Sequence, residues 1–200
     1  MTSDIVVVSG LPRSGTSLMM QMLDRGGFPV VTDQVRAADP DNPRGYYEFE
    51  PVKAVRRDRS WLPATRGRAV KMVSQLLPFL PLDETYRVLF MERDLDEVLA
   101  SQEKMLSRLG QTPAPREQIR QAYLAHLARV DAWLGAQAQV TTLRVPYPDL
   151  VARPRVQAGR VADFLGGRVD VETMVLAVDP SLYRNRVSGT VPAGPDHPGS

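Results

Sequence analysis

Ile5-Val6-Val7-Val8-Ser9-Gly10-Leu11-Pro12-Arg13-Ser14-Gly15-Thr16-Ser17 joins three local signals in a row. Ile5 to Val8 is an apolar, β-branched run of strand length. Gly10 and Gly15 bracket a turn that holds Pro12 and Arg13. Leu18, Met19, Met22 and Leu23 then fall on one helical face, and Gly26-Gly27 ends the pattern. Strand, glycine-rich loop and helix make an anion cradle. The loop N–H groups converge on one point, and the positive end of the helix dipole adds to the attraction.

The spacing matches the P-loop pattern G-x-x-x-x-G-K-[ST], except that Thr16 stands in the lysine slot. The nearest cation is Arg13, inside the loop. A nucleoside-triphosphatase loop uses its lysine on the β- and γ-phosphates and its Ser/Thr on magnesium, so ATP hydrolysis is disfavoured. The stretch instead resembles the 5′-phosphosulfate loop of sulfotransferases that use 3′-phosphoadenosine-5′-phosphosulfate (PAPS). The resemblance implies cofactor contacts from Leu11, Pro12, Arg13, Ser14, Gly15, Thr16 and Ser17, with Arg13 in the lysine's part. A glycine–proline turn without a ligand is the plainer alternative. The strand, both glycines, Arg13 and the hydroxyls in this order speak against it.

Composition narrows the rest. The chain has 200 residues, which suits one domain, and 43% of them are hydrophobic. Its 25 basic and 23 acidic residues leave a formal charge of +2, with no continuous Lys/Arg block, so a nucleic-acid surface is not expected. Without cysteine there is no disulfide, thiol nucleophile or thiolate metal site. The two histidines, His126 and His197, make a histidine metal centre improbable, and no metal is expected. No secretory leader or membrane-length apolar run is read, and a cytoplasmic protein is the expectation.

Further strands are expected over Phe28-Pro29-Val30-Val31-Thr32, Arg68–Val73, Arg87–Glu92 and Val140–Val145. Helices are expected over Val52–Arg59, from Leu95 to the Gly110 stop, over Arg116–Leu134, from Pro154 to Gly166-Gly167, and over Val171–Val178. Asp94 suits a helix cap, Leu95, Val98, Leu99, Met105 and Leu106 make its apolar stripe, and Asp96 and Glu97 in the first turn with Lys104 and Arg108 near the end match the helix dipole. Alternating strands and helices give an α/β fold: a P-loop-like three-layer sandwich with a central, mainly parallel sheet. Residues 1–187 are expected to form one domain and 188–200, rich in Gly and Pro, a loose tail.

Arg93 closes a strand, and Ser101 lies two turns into the next helix, on nearly the side that faces the strand end. An arginine fork and a hydroxyl so placed can hold one phosphate. Alone, Arg93 also suits an ion pair with a neighbouring carboxylate, and Ser101 a plain polar position. Arg93, Asp94 and Ser101 resemble the sulfotransferase motif for the 3′-phosphate, with Leu95 where that family often has proline. Lys71-Met72-Val73-Ser74-Gln75-Leu76-Leu77-Pro78 resembles the Lys-Thr-His…Leu-Leu-Pro segment of the cytosolic members, with Val73 in place of the catalytic histidine. Pro146-Tyr147-Pro148-Asp149-Leu150 resembles their Tyr-Glu-Asp-Leu segment. The family's distal Arg-Lys-Gly motif is absent. Arg184 and Arg186 could serve the cofactor instead, or simply be solvated.

The resemblance covers the chain to about Leu165 and implies sulfuryl transfer from PAPS to a hydroxyl or amine, yielding 3′,5′-ADP. Arg13, Lys71 and the loop amides are the candidates for stabilising the leaving group. The acceptor, a small molecule or biopolymer bearing a hydroxyl, needs a base. His126 borders an apolar helix face and suits packing. Asp33, after the second strand, stands about where tyrosylprotein sulfotransferases carry a catalytic glutamate. Glu48 is the second candidate. Tyr46 and Tyr47 suit either an acceptor pocket or the core, and Trp61 the core. A small-metabolite kinase and a non-catalytic nucleotide-binding module remain the alternatives.

Overall fold

The computed structural model describes residues 4–33 and 45–183. Its centre is a parallel sheet in the order β2-β3-β1-β4-β5. The strands are β1 (Ile5–Gly10), β2 (Val30–Val31), β3 (Ala69–Val73), β4 (Tyr86–Glu92) and β5 (Val140–Pro146). The apolar run that opens the chain takes the middle place, and all of β1 is buried. A strand with neighbours on both edges and cover on both faces has no polar side to show, hence a continuous rather than an alternating apolar pattern.

Successive β1 side chains feed opposite layers. Val6 and Val8 meet Met19, Met22 and Leu23 of α1 (Thr16–Arg25), with Ala158 and Val161 of α5 (Pro154–Phe164). Ile5 and Val7 meet Trp61, Leu77 and, from α3 (Arg116–Ala136), Val130 and Leu134. Each such aliphatic side chain removed from water contributes about 1.5–3 kcal/mol before ordering costs. The three-layer α/β expectation therefore holds, with every strand pair parallel, and Trp61 is a core residue.

Strand β2 is shorter than the expected span. Phe28 turns into the core, and its N–H closes the end of α1 on Leu23 O at 2.9 Å. Pro29 has no N–H and contributes only its carbonyl, which accepts from Ala69 N at 2.8 Å. The helix expected over Val52–Arg59 is a 3-10 turn, Glu50–Ala54, before Trp61 packs edge-on against Phe49 at 5.8 Å. Asp94 caps α2 (Leu95–Arg108) by accepting from the N–H groups of Asp96 and Glu97. The expected Arg116–Leu134 helix runs to Ala136. One α-helix escaped the sequence reading: α4 (Tyr147–Ala152), whose Pro148 sits in the first turn, where no N–H is needed. The last helix, α6, is Val171–Val175. Among the described residues, no helix is long and apolar enough to cross a membrane. The expected domain end at 187 and the tail over 188–200 lie outside the described residues.

Candidate active site

The loop between β1 and α1 is built by two glycines for two reasons. Gly10 has φ 152°, and a Cβ there would lie 2.5 Å from Ser14 Oγ and 2.7 Å from Met91 O. Gly15 has φ 102°, and a Cβ there would collide with the Tyr147 ring. Between them Arg13 takes a left-handed conformation, φ 71°. No side chain caps α1, and no acidic residue lies in its first turn, so its positive end faces the cavity uncompensated by its own helix. Leu11 and Ser14 lie beneath the loop, both buried, and Ser14 Oγ has no partner among the described residues.

Arg13 and Ser101 meet: the Arg13 Nε–H donates to Ser101 Oγ at 3.0 Å. Arg93 supports that contact from behind. Its Nη1–H donates to Arg13 O at 3.1 Å, and its Nε–H to Glu97 Oε2 at 2.9 Å. The Arg93 and Glu97 side chains are 7% and 5% exposed, so this is a buried ion pair. Tyr147 and Tyr183 stack on the guanidinium at 4.7 and 5.2 Å, and Tyr183 Oη donates to Glu97 Oε1 at 2.8 Å. Burial, then the Glu97 bond, pushes the Tyr183 phenol up to about 12, so it stays a donor.

Lys71 extends from β3 to the start of α1. Its ammonium donates to Tyr46 O and stands 3.4 Å from Ser17 Oγ. Lys71 therefore sets a cation beside the loop, although Thr16 fills the lysine slot. Glu48 lies 3.9 Å from both Lys71 and Lys53. Asp33 is engaged elsewhere: its carboxylate accepts the Glu50 N–H at 2.5 Å. His126 faces Ser74, with Nε2 and Oγ 2.9 Å apart, and desolvation, then Arg129, lowers its pKa. Tyr46 is buried in the cavity wall, while Tyr47 donates to Asp24 Oδ2 at 2.8 Å.

The loop, Lys71, Arg93 and Ser101 face a cavity of about 490 Å³. Pro12, Arg13, Gly15, Thr16 and Ser17 line it together with Lys71, Arg93, Ser101 and Glu48. Among the described residues, the charged side chains in its wall are six cations (Arg13, Lys53, Lys71, Arg93, Lys104 and Arg108) and two acids, Glu48 and Asp179. The described wall therefore carries more cations than acids, an arrangement that attracts anions.

No family model and no curated protein sequence matches this chain. Solved structures do. The sulfotransferase domain of a Synechococcus olefin synthase superposes with a TM-score of 0.61 at 16% identity, over 96% of this chain and 90% of that one. The fold is sulfotransferase-like. The sulfotransferase domain from the curacin biosynthetic pathway gives 0.52 at 13% identity, over 96% and 94%. A sulfotransferase from Alicyclobacillus acidocaldarius gives 0.52 at 17%, over 91% and 89%.

On this sulfotransferase-like frame the sequence reading had Tyr147 only as part of a resembling segment, and it missed Glu97 beneath the loop and Lys104 and Arg108 in the cavity wall. The wall residues carried a legible signal. Ser101, Lys104, Met105 and Arg108 follow the i, i+3, i+4, i+7 spacing of one helix face. The two cations were read only as complements to the helix dipole. Arg184 and Arg186 lie outside the described residues.

Proposed function

We propose that this chain is an enzyme, a sulfotransferase that moves a sulfuryl group from PAPS to a hydroxyl or amine and releases 3′,5′-ADP. One observation carries the reading. The glycine loop and the Arg93–Ser101 pair, taken from the sequence as two anion sites, open into one cavity and are joined by the Arg13–Ser101 contact. A nucleotide with anionic groups at both its 5′ and 3′ positions needs two such sites within one molecule's reach. The cradle fits: two positions exclude a Cβ, and among the described residues Ser14 Oγ is buried without a partner and six cations line the wall.

In this reading Leu11 to Ser17 enclose the 5′ end through the loop and the first turn of α1. Ser101 and Arg13 face the 3′-phosphate. Arg93 shares that wall, and its pairing with Glu97 orients the Arg13 carbonyl. PAPS supplies the sulfuryl group when bound: its sulfur–oxygen bond to the 5′-phosphate breaks, and the sulfur bonds the acceptor atom. The loop N–H groups and Lys71 stabilise the negative charge left on the departing 5′-phosphate. Glu48 takes the acceptor's proton. It precedes Asp33 in this role because it lines the cavity, whereas the Asp33 carboxylate holds the Glu50 amide.

Calorimetric titration tests the reading. We expect 3′,5′-ADP to bind at least about tenfold tighter than 5′-AMP, and Ser101→Ala or Arg93→Ala to erase that preference. Glu48→Gln should abolish sulfuryl transfer while nucleotide affinity stays within about threefold. Retained turnover would return the base to Asp33. A kinase reading keeps one specific support, Lys71 beside Ser17, and predicts magnesium-dependent ATP binding above that of 3′,5′-ADP. A module without turnover is favoured by Val73, 40% exposed at the cavity in the place of a histidine.

A further inference from the structure

We infer that the acceptor is a monohydroxy alcohol on an apolar carbon frame, as opposed to a sugar or another polyol. This rests on the sulfotransferase reading and adds to it the chemical class of the second substrate.

The sheet order gives the cavity two flanks. The glycine loop leaves β1, which has β3 on one edge and β4 on the other. Two strand spacings set β3 and β4 about 9.5 Å apart. Strand β4 leads through Arg93 into α2, so Ser101 and the wall residues that follow it, Met105 and Leu109, belong to the β4 flank. The Arg13–Ser101 contact, assigned to the nucleotide, lies there. Lys71 belongs to the β3 flank, and Glu48 stands 3.9 Å from its ammonium.

On this second flank four apolar side chains line the cavity: Phe49, Val52, Val73 and Leu76. Val73 follows Lys71 on the same face of β3, one side-chain repeat further out, and is 40% exposed. Phe49 adjoins Glu48, Val52 comes from the 3-10 turn after it, and Leu76 from the 3-10 segment Ser74–Phe79 that continues β3. Val52 belongs to the core layer that holds Trp61, and Phe49 and Leu76 pack on it, so this wall is fixed by the core behind it.

Among the described residues, the charged groups of this flank gather at one point. Glu48 stands 3.9 Å from both Lys53 and Lys71, and the Lys71 ammonium donates to Tyr46 O. An alcohol with one hydroxyl meets that point and lays its carbons along Val52, Val73 and Leu76. A polyol would press further hydroxyls against the same side chains, which offer no hydrogen bond in place of those lost to water.

The test uses the protein saturated with 3′,5′-ADP and titrated with butan-1-ol, hexan-1-ol, octan-1-ol and sorbitol. Each CH₂ laid on the wall adds up to about fourfold in affinity, so octan-1-ol should bind at least about tenfold tighter than butan-1-ol, and sorbitol should show no saturable binding. Val73→Asp should weaken octan-1-ol at least about fivefold and leave 3′,5′-ADP affinity within about threefold. Val73→Thr, which keeps the side-chain shape, should weaken octan-1-ol in the same direction if the added charge prevents folding. A flat alcohol series, sorbitol binding as tightly as octan-1-ol, or binding of neither overturns the inference while 3′,5′-ADP still binds. An alcohol series unchanged in both Val73 variants also overturns it, since the alcohols would then lie elsewhere. Loss of 3′,5′-ADP affinity in both does the same, since the wall would then serve the nucleotide. Failure of the unaltered protein to bind 3′,5′-ADP removes the sulfotransferase reading itself.

Discussion

Arg13 adopts φ 71°, a backbone region that side chains other than Gly, Asn and Asp seldom enter. Such strain costs on the order of 1–3 kcal/mol and persists only where the surroundings enforce it. Here the enforcing groups are named: Arg93 bonds the Arg13 carbonyl, and Ser101 holds its guanidinium. Tyr183 and Glu97 keep Arg93 in place, so a distant phenol supports the loop. Tyr183→Phe removes one bond to a buried carboxylate, worth about 1.5–3 kcal/mol, and should lower both Tm and 3′,5′-ADP affinity. Glu97→Gln should do the same, whereas Tyr47→Phe, which loses only the bond to Asp24, should leave nucleotide affinity unchanged. Gly15→Ala meets the Tyr147 ring and a strained φ together. We expect it to abolish 3′,5′-ADP binding in calorimetry, and Gly15→Ala with Tyr147→Ala to regain a part of it.

At the scale of elements, α2 serves two ends. Its capped N-terminus carries Glu97 toward Arg93, and its later turns carry Lys104 and Arg108 along the cavity. Helix α3 has a different duty, covering the far face of the sheet with Val130 and Leu134 and presenting His126 to buried Ser74. Desolvation holds His126 below the ordinary histidine pKa, so the folded state binds its proton less readily than the unfolded state does. That stability contribution is complete above about pH 6.5 and is lost as the pH falls through the window beneath it. Chemical denaturation of His126→Gln between about pH 7 and 5 should therefore show a flatter decline than the unaltered chain. Legibility also differed by element. The helix after Asp94 was readable because cap, apolar stripe and dipole-matched charges agree. Tyr147–Ala152 was not, since two prolines within three residues look like a loop, although a first-turn proline costs a helix nothing.

For the whole molecule, the decisive feature is charge placed unevenly. The chain's formal charge is +2, yet among the described residues six cationic and two acidic side chains line one cavity. Binding of 3′,5′-ADP should accordingly weaken as salt rises, by at least about tenfold between 0.05 and 0.5 M. It should raise Tm in proportion to the logarithm of its concentration, measured by scanning calorimetry.

The bare chain encodes what short-range sterics and periodicity control: a β-branched run, two glycines at the loop, a capped amphipathic helix, and hence the parallel α/β class and the anion cradle. Packing had the deciding part wherever partners are far apart in sequence. Arg93 reaches Arg13 across 80 positions, and Tyr183 reaches Glu97 across 86. The same holds for Lys71 beside Ser17, and for Glu48 rather than Asp33 in the cavity wall. Charge pairing of this kind depends on where a layer sets its side chains, and no local pattern carries that information.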